Sequence, residues 1–269
     1  MTDTILLIGC GKMGGALLAG WLERGMAPDQ VVVVEPFGGA DITARHGVAV
    51  LEDATGLDAG IAPSVVVFAV KPQAMDDVAP AYRRFAGPGT VFLSIAAGRT
   101  IASFERLLGQ QAAIVRTMPN TPASVGRGIT VACANGYVSD PQRSRCQELL
   151  EAVGEVAWVD DEALLDAVTA VSGSGPAYVF LLIECMAKAG EAAGLDAALA
   201  GRLARVTVSG SGELARLSDD DAAVLRRNVT SPGGTTEAAL DVLMGDDALC
   251  RLMTDAIEAA TRRSRDLAG

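Results

Sequence analysis

Three glycines, Gly9, Gly11 and Gly14, follow the apolar run Ile5-Leu6-Leu7-Ile8 and precede Ala16-Leu17-Leu18 and Trp21-Leu22 at helical spacing. In that pattern the first glycine permits a tight turn and the second lets the backbone approach a pyrophosphate. The third lets helix and strand pack closely. The turn Gly9-Cys10-Gly11-Lys12-Met13-Gly14 is therefore a candidate dinucleotide cradle, the alternative being a tight βα turn without a ligand. A second polar, Gly-rich turn stands far along the chain, in sequence that is otherwise apolar and helical. It runs Asn228-Val229-Thr230-Ser231-Pro232-Gly233-Gly234-Thr235-Thr236 and feeds Glu237-Ala238-Ala239-Leu240. A helix that opens there has unpaired backbone N–H groups, which suit a small anion such as a substrate carboxylate. The same residue types also serve an ordinary helix–helix connection.

Further candidates fall where strands are expected to end. Glu35 lies about 20 residues after the last fingerprint glycine, the place of an acid that accepts the ribose hydroxyls of NAD and repels the extra phosphate of NADP. Arg45 nearby can counter that repulsion, so NADH is favoured and NADPH stays open. Ala69-Val70-Lys71-Pro72 closes a strand at the carboxyl edge where such sheets bind ligands; a surface lysine is its plain alternative. Ala96-Ala97-Gly98 and Met118-Pro119-Asn120-Thr121-Pro122 end two later strands at that edge, as a close wall for a flat ring or as simple turns. Thr169 and Ser172 precede Gly173, Gly175 and Pro176 in a helical stretch, where Gly and Pro allow a kink or close helix approach and the hydroxyls can serve a cleft.

These residues need a scaffold. Strands are expected at residues 5–8, 31–34, 48–51, 65–70, 90–95, 113–116, 129–134 and 156–159, with helices between most of them. Such alternation implies an α/β fold with a parallel, doubly wound Rossmann-type sheet over residues 1–160. Residues 161–269 show only helical patterns and are expected to form a second, all-α domain. Its helices are apolar on more than one side, which calls for a partner subunit.

Composition narrows the chemistry. His46 is the sole histidine among 269 residues, in a polar stretch that suits a surface position, so a His-rich zinc site and a Ser-His-Asp triad are poor fits and no metal is expected. The five cysteines are scattered without metal-ligand spacing and fit reduced thiols in a cytoplasmic protein. A net charge of −11 argues against nucleic acid or an anionic membrane as partner. The sequence is expected to carry neither a signal peptide at Met1-Thr2-Asp3-Thr4 nor a run of membrane-span length.

Taken together, the glycine turn, Val70-Lys71-Pro72, residues 94–98, 118–122 and 172–178, and the block Thr230-Ser231-Pro232-Gly233-Gly234-Thr235-Thr236 resemble the pyrroline-5-carboxylate reductase family, in the family's order and over nearly the full chain. The resemblance implies reduction of 1-pyrroline-5-carboxylate to L-proline with NADPH or NADH. It implies that Val229, Thr230, Ser231, Gly233, Gly234, Thr235 and Thr236 surround the substrate and that the turn grips its carboxylate; Asn228 belongs to the same turn. It also implies an all-α domain that interlocks two subunits, with dimers ringed into a decamer, and a cleft to which the partner contributes. Two positions depart from the usual pattern: Glu35, where NADPH-preferring members tend to be neutral or basic, and Arg99, where an aliphatic residue is usual.

A cyclic imine takes its proton from solvent before hydride arrives, so the scarcity of histidine is no handicap. The site must chiefly orient the ring against the nicotinamide. Thr236 or Thr169 is the candidate to hydrogen-bond the ring nitrogen. Two other readings stand beside this one: a reductase of another imine or of a 2-oxo acid, and a non-catalytic dinucleotide-sensing scaffold.

Overall fold

The computed structural model describes residues 3–268; Met1, Thr2 and Gly269, which the expected domain ranges include, lie outside them. One sheet is built from β1 (Ile5–Ile8), β2 (Val31–Val34), β3 (Ala49–Leu51), β4 (Val65–Phe68), β5 (Val91–Ser94), β6 (Ala113–Met118), β7 (Gly128–Ala134) and β8 (Gly154–Trp158). Their order across it is β3-β2-β1-β4-β5-β6-β7-β8. The chain thus winds outward from β1 to β3 and restarts with β4 on the other side of β1. That reversal opens a crevice at the carboxyl ends of β1 and β4, where ligands of such sheets bind.

The central strands β1, β2, β4 and β5 are short, apolar and largely buried on both faces, whereas the edge strands β3 and β8 are only partly buried. Alternate residues therefore feed two cores. Ile5, Leu7, Val31, Val33, Val65, Val67, Val91 and Leu93 meet α1 (Lys12–Glu23) and α5 (Asp140–Glu151) through Leu17, Leu18, Trp21, Leu149 and Leu150. Leu6, Ile8, Val66, Phe68, Phe92 and Ile114 face the opposite layer, α3 (Met75–Val78) and α4 (Ile101–Leu108). Each fully buried aliphatic or aromatic side chain stabilises the fold by about 1.5–3 kcal/mol. α2 (Gly39–His46) links β2 to β3, and the eight-residue α4 links β5 to β6 and is capped by the Thr100 hydroxyl at 3.2 Å.

One junction differs from the parallel expectation. β6 and β7 pair antiparallel, with Met118 opposite Val131, whereas β7 and β8 are parallel again. Residues 119–127 hold only the short 3-10 turn Thr121–Val125, and a parallel return needs a crossover of a dozen residues or more.

By its contacts the chain divides into two compact units. The first runs to Gly173 and takes back the segment from Ala260 onward; the second is Ser174–Ala259. The first unit extends to Gly173 because α6 (Leu164–Val168) lays Leu165 on the sheet's core. After α6 the helix widens into a π turn at Thr169–Gly173 and then continues as α7 (Gly175–Ala192). Ser174 is a bend between the two and the N-cap of α7, with Pro176 in its first turn. By length and composition alone the stretch Leu164–Ala192 is long and apolar enough to cross a membrane, with Asp166, Glu184 and Lys188 along it.

The second unit contains α7, α8 (Ala197–Leu217), α9 (Ala222–Asn228) and α10 (Thr235–Met244), and α11 (Ala248–Ala268) starts in it. α7 and α8 pack closely, with Gly190 against Ala200, while Phe180, Leu181, Val206 and Val242 remain more than half exposed.

Candidate active site

The glycine turn meets each geometric demand of its pattern. Gly9, just past β1, has φ 91°, and a Cβ there would lie 2.9 Å from the Ala69 backbone beyond β4. At Gly14, inside α1, a Cβ would strike the Gly9 carbonyl oxygen at 2.4 Å, so helix and turn touch backbone to backbone. Gly11 differs from both: a Cβ there would meet nothing within 4 Å, which leaves an open approach to the backbone at the start of α1. Gly11 is the N-cap, its helix has no acidic residue in the first turn, and Lys12 is the first helical residue. In a chain of net charge −11, this helix start offers bare N–H groups and a cation to a phosphate. Met13 packs against the core and Cys10 is half-buried.

Glu35 follows β2 and turns back over the cradle. One carboxylate oxygen accepts the Cys10 N–H at 2.7 Å and the other the Phe37 N–H at 3.2 Å. Burial, followed by the Glu35 charge, pushes the Cys10 thiol pKa up, so it is no thiolate nucleophile. Arg45 does not pair with Glu35 among the described residues. It lines, with Lys12, Asp41 and His46, a cleft of about 400 Å³ beside α1 and α2. His46 is the last residue of α2 and partly buried there.

Three strand ends complete this edge. Ala69 donates its N–H to the Ile8 carbonyl at 2.7 Å and so ties β4 to β1, after which Val70 and the exposed Lys71 lead into the 3-10 turn Pro72–Ala74. Past β5, Ala96 is buried, Ala97 exposed, and Gly98 has φ 71°. Arg99 then reaches back. Its Nε donates to the Pro72 carbonyl at 2.9 Å and its Nη1 to Asp76 Oδ1 at 3.1 Å, with Nη2 on the other carboxylate oxygen. The hydrogen bond from Arg99 holds the Asp76 carboxyl below its ordinary pKa. Past β6, Pro119 is buried, and the Asn120 amide donates to Ser172 Oγ at 3.2 Å while its carbonyl oxygen accepts the Ile129 N–H at 3.0 Å.

The Asn120 bond brings the π turn to the end of β6. A Cβ on Gly173 would lie 2.3 Å from the Met118 methyl group, so this contact needs glycine. Thr169, in the same turn, donates its hydroxyl proton to the Leu165 carbonyl at 2.7 Å, which leaves its oxygen free to accept. Beneath lies an ion pair: Arg116, 5% exposed, donates to Glu162 Oε1 at 2.6 Å, and that oxygen also accepts the Ile101 N–H at 2.8 Å. Desolvation also raises the Cys133 and Cys146 thiols, the latter to about 12.

In the second unit the polar turn spans the gap between α9, which ends at Asn228, and α10. Val229 and Thr230 close the α9 end, with the Thr230 hydroxyl on the Arg226 carbonyl at 2.7 Å. Gly234 donates to the Ser231 carbonyl at 3.0 Å, and Gly233 takes φ 69°. Gly234 is the N-cap, and Thr235 and Thr236 open α10 with Thr236 partly buried. Glu237 reaches back to accept the Gly233 N–H at 2.6 Å, a partner that sequence inspection did not single out. The turn is thus preformed, with one amide already satisfied by a carboxylate. Sequence inspection also left Arg99 without a role and did not connect Asn120 to Ser172. Their partners lie 23 to 52 residues away, so spacing gave no signal.

Comparison with known proteins agrees with this layout. Residues 162–267 match the model for pyrroline-5-carboxylate reductase dimerisation, and residues 4–98 that for an NADP oxidoreductase, coenzyme F420-dependent. The chain is 42% identical to pyrroline-5-carboxylate reductase of Pseudomonas aeruginosa, over 99% of this chain and 97% of that one. It is 35% identical to the solved pyrroline-5-carboxylate reductase of Coxiella burnetii, with a TM-score of 0.93 and all of both chains covered. The Plasmodium falciparum pyrroline carboxylate reductase solved with NADP bound is 28% identical, with a TM-score of 0.83 over 99% of this chain and 98% of that one. With full-length identity at this level, a matching fold and the glycine cradle at the switch of its sheet, the chain belongs to the pyrroline-5-carboxylate reductase family.

Proposed function

We infer that this chain reduces 1-pyrroline-5-carboxylate to L-proline with a reduced nicotinamide dinucleotide. The observation that carries this is the acid-free helix start at Gly11, framed by Gly9 and Gly14, in a chain related over its whole length to pyrroline-5-carboxylate reductases. When bound, the dinucleotide supplies a hydride, and the residues Gly9 to Gly14 with Lys12 fit its pyrophosphate. Lys71, Pro72, Ala97, Gly98 and Asn120 would flank its nicotinamide half, with Ala69, Val70, Ala96 and Pro119 holding those loops in place.

The turn from Asn228 to Thr236 would hold the substrate carboxylate through the N–H groups of Thr235 and Thr236, which have no intrahelical partners. The substrate enters as the protonated cyclic imine, C=N–H⁺. Hydride adds to its carbon, the C=N π electrons pass to nitrogen, and the neutral ring amine then takes a proton from solvent. The chain has only to accept a hydrogen bond from the ring N–H, which the hydroxyl oxygen of Thr236 or Thr169 can do. Catalysis then rests on holding the reacting atoms about 3–3.5 Å apart.

Glu35 supports NADH as the preferred donor, because its carboxylate is held against the glycine turn, where it would meet the ribose, and the following Pro36-Phe37-Gly38-Gly39 has no cation. The apolar helices of residues 161–269 serve as the subunit interface, with a dimer as the basic assembly and a decamer as its ring. The exposed apolar side chains of α7 then face a partner chain and not lipid. The test is to follow the near-ultraviolet absorbance of each reduced dinucleotide with the pyrroline carboxylate as acceptor. Turnover with L-proline as product is expected. Dinucleotide binding without oxidation, or turnover of 2-oxo acids alone, would refute the assignment.

A further inference from the structure

Arg99 has no place in the glycine cradle or the polar turn, yet it makes three hydrogen bonds at the sheet's carboxyl edge. It stands directly after Gly98, and its side chain is mostly buried at 19% exposure. Its Nε holds the carbonyl of Pro72, next to Lys71, and its two Nη atoms hold both oxygens of Asp76. The loop after β4 and the loop after β5 are thereby joined at three points. Phe68 and Ser94 are paired in the sheet, and Ile95 donates to the Phe68 carbonyl at 3.1 Å, so the two loops leave the sheet side by side. Beyond these pairs, and the packing of Met75 with Ala96 and Ile101 in one core, the Arg99 fork supplies the polar tie between them.

We propose that Arg99 is a positioning residue for the dinucleotide: with Asp76 and the Pro72 carbonyl it clasps the Lys71–Pro72 loop to the Ala97–Gly98 loop, so that the two present one preformed wall to the nicotinamide half. This rests on the assignment of both loops to the dinucleotide made above. A planar guanidinium suits the task, because it forms a two-pronged pair with a carboxylate and still has Nε for the carbonyl. An aliphatic side chain at this position would pack but could not tie, and the loops would then have to be ordered by the ligand at a cost in affinity. The lowered pKa of Asp76 agrees with a standing pair. Its effect is present above the ordinary carboxylate range and lost as pH falls through the lowered value.

The clasp touches neither the glycine cradle nor Glu35, which gives a selective test. Binding of NADH and of ADP-ribose, which lacks the nicotinamide, is measured by calorimetry on the full-length protein, for the wild type, Arg99→Leu, Arg99→Lys and Asp76→Asn. Arg99→Leu is expected to weaken NADH about tenfold while ADP-ribose stays within about twofold, since only the wall is loosened. Asp76→Asn, which weakens the two-pronged pair but leaves the Arg99 Nε bond to the Pro72 carbonyl, is expected to change NADH in the same direction by less, and Arg99→Lys to fall between wild type and Arg99→Leu. Equal weakening of both ligands, or no change in either, would overturn the proposal. Because the readout is binding, a failure of the chain to reduce the pyrroline carboxylate would refute the functional assignment without touching this one.

Discussion

The Glu35 carboxylate accepts the backbone N–H of Cys10 at 2.7 Å, across 25 residues of sequence, so the acid at the end of β2 is fixed against the glycine turn. Its charge therefore sits against the glycine turn, where the proposed reading puts the ribose. Replacing Glu35 by Ser removes that charge and leaves Arg45 and Lys12 nearby. The ratio of kcat/KM for NADPH over NADH is expected to rise by about tenfold, roughly 1.4 kcal/mol. Steady-state kinetics with both cofactors measures it, and an unchanged ratio would remove Glu35 as the selector.

Gly14→Ala sets two effects against each other. Alanine improves helix propensity by about 1 kcal/mol. The added methyl, however, would lie 2.4 Å from the Gly9 carbonyl oxygen, which is backbone and cannot swing aside. Overpacking of this kind costs about 1–3 kcal/mol, so net destabilisation is expected, with weakened dinucleotide binding. Thermal unfolding decides the sign; a stabilised variant would show that α1 is not held by this contact.

The two hydroxyl candidates can be separated. Thr236→Val keeps shape and removes the acceptor, and loss of a hydrogen bond to a charged group is worth about 1.5–3 kcal/mol. The KM for the pyrroline carboxylate is expected to rise about 10- to 100-fold at constant NADH affinity. Thr169→Val tests the other oxygen, which already donates to the Leu165 carbonyl. If neither substitution changes the kinetics, the ring nitrogen has another partner.

The exposed apolar side chains of the second unit belong in an interface. Phe180 is 60% exposed, and burial of such a side chain contributes about 1.5–3 kcal/mol. Phe180→Asp is expected to release the monomer, measured by sedimentation at micromolar concentration, together with loss of turnover. Persistence of the wild-type assembly would place the interface on another face.

The eight strands, the glycine cradle and the helical second half were legible from local pattern, because apolar periodicity and βα-turn glycines are demands of neighbouring residues on one another. The order of motifs sufficed likewise to suggest the family. Sequence did not show that β7 turns antiparallel, since that follows from the length of a connection whose residues also suit a longer loop. Nor did it show that residues 162–173 pack on the first unit. Leu165 fits an apolar helix of either half, and only the buried surface above β6 selects its place. The ties that order the site were the least visible: Glu35 to Cys10, Arg99 to Pro72 and Asp76, Asn120 to Ser172. Each joins polar groups from different strand ends. Residue types alone told which groups can donate or accept, while the parallel register of the sheet decided which of them meet.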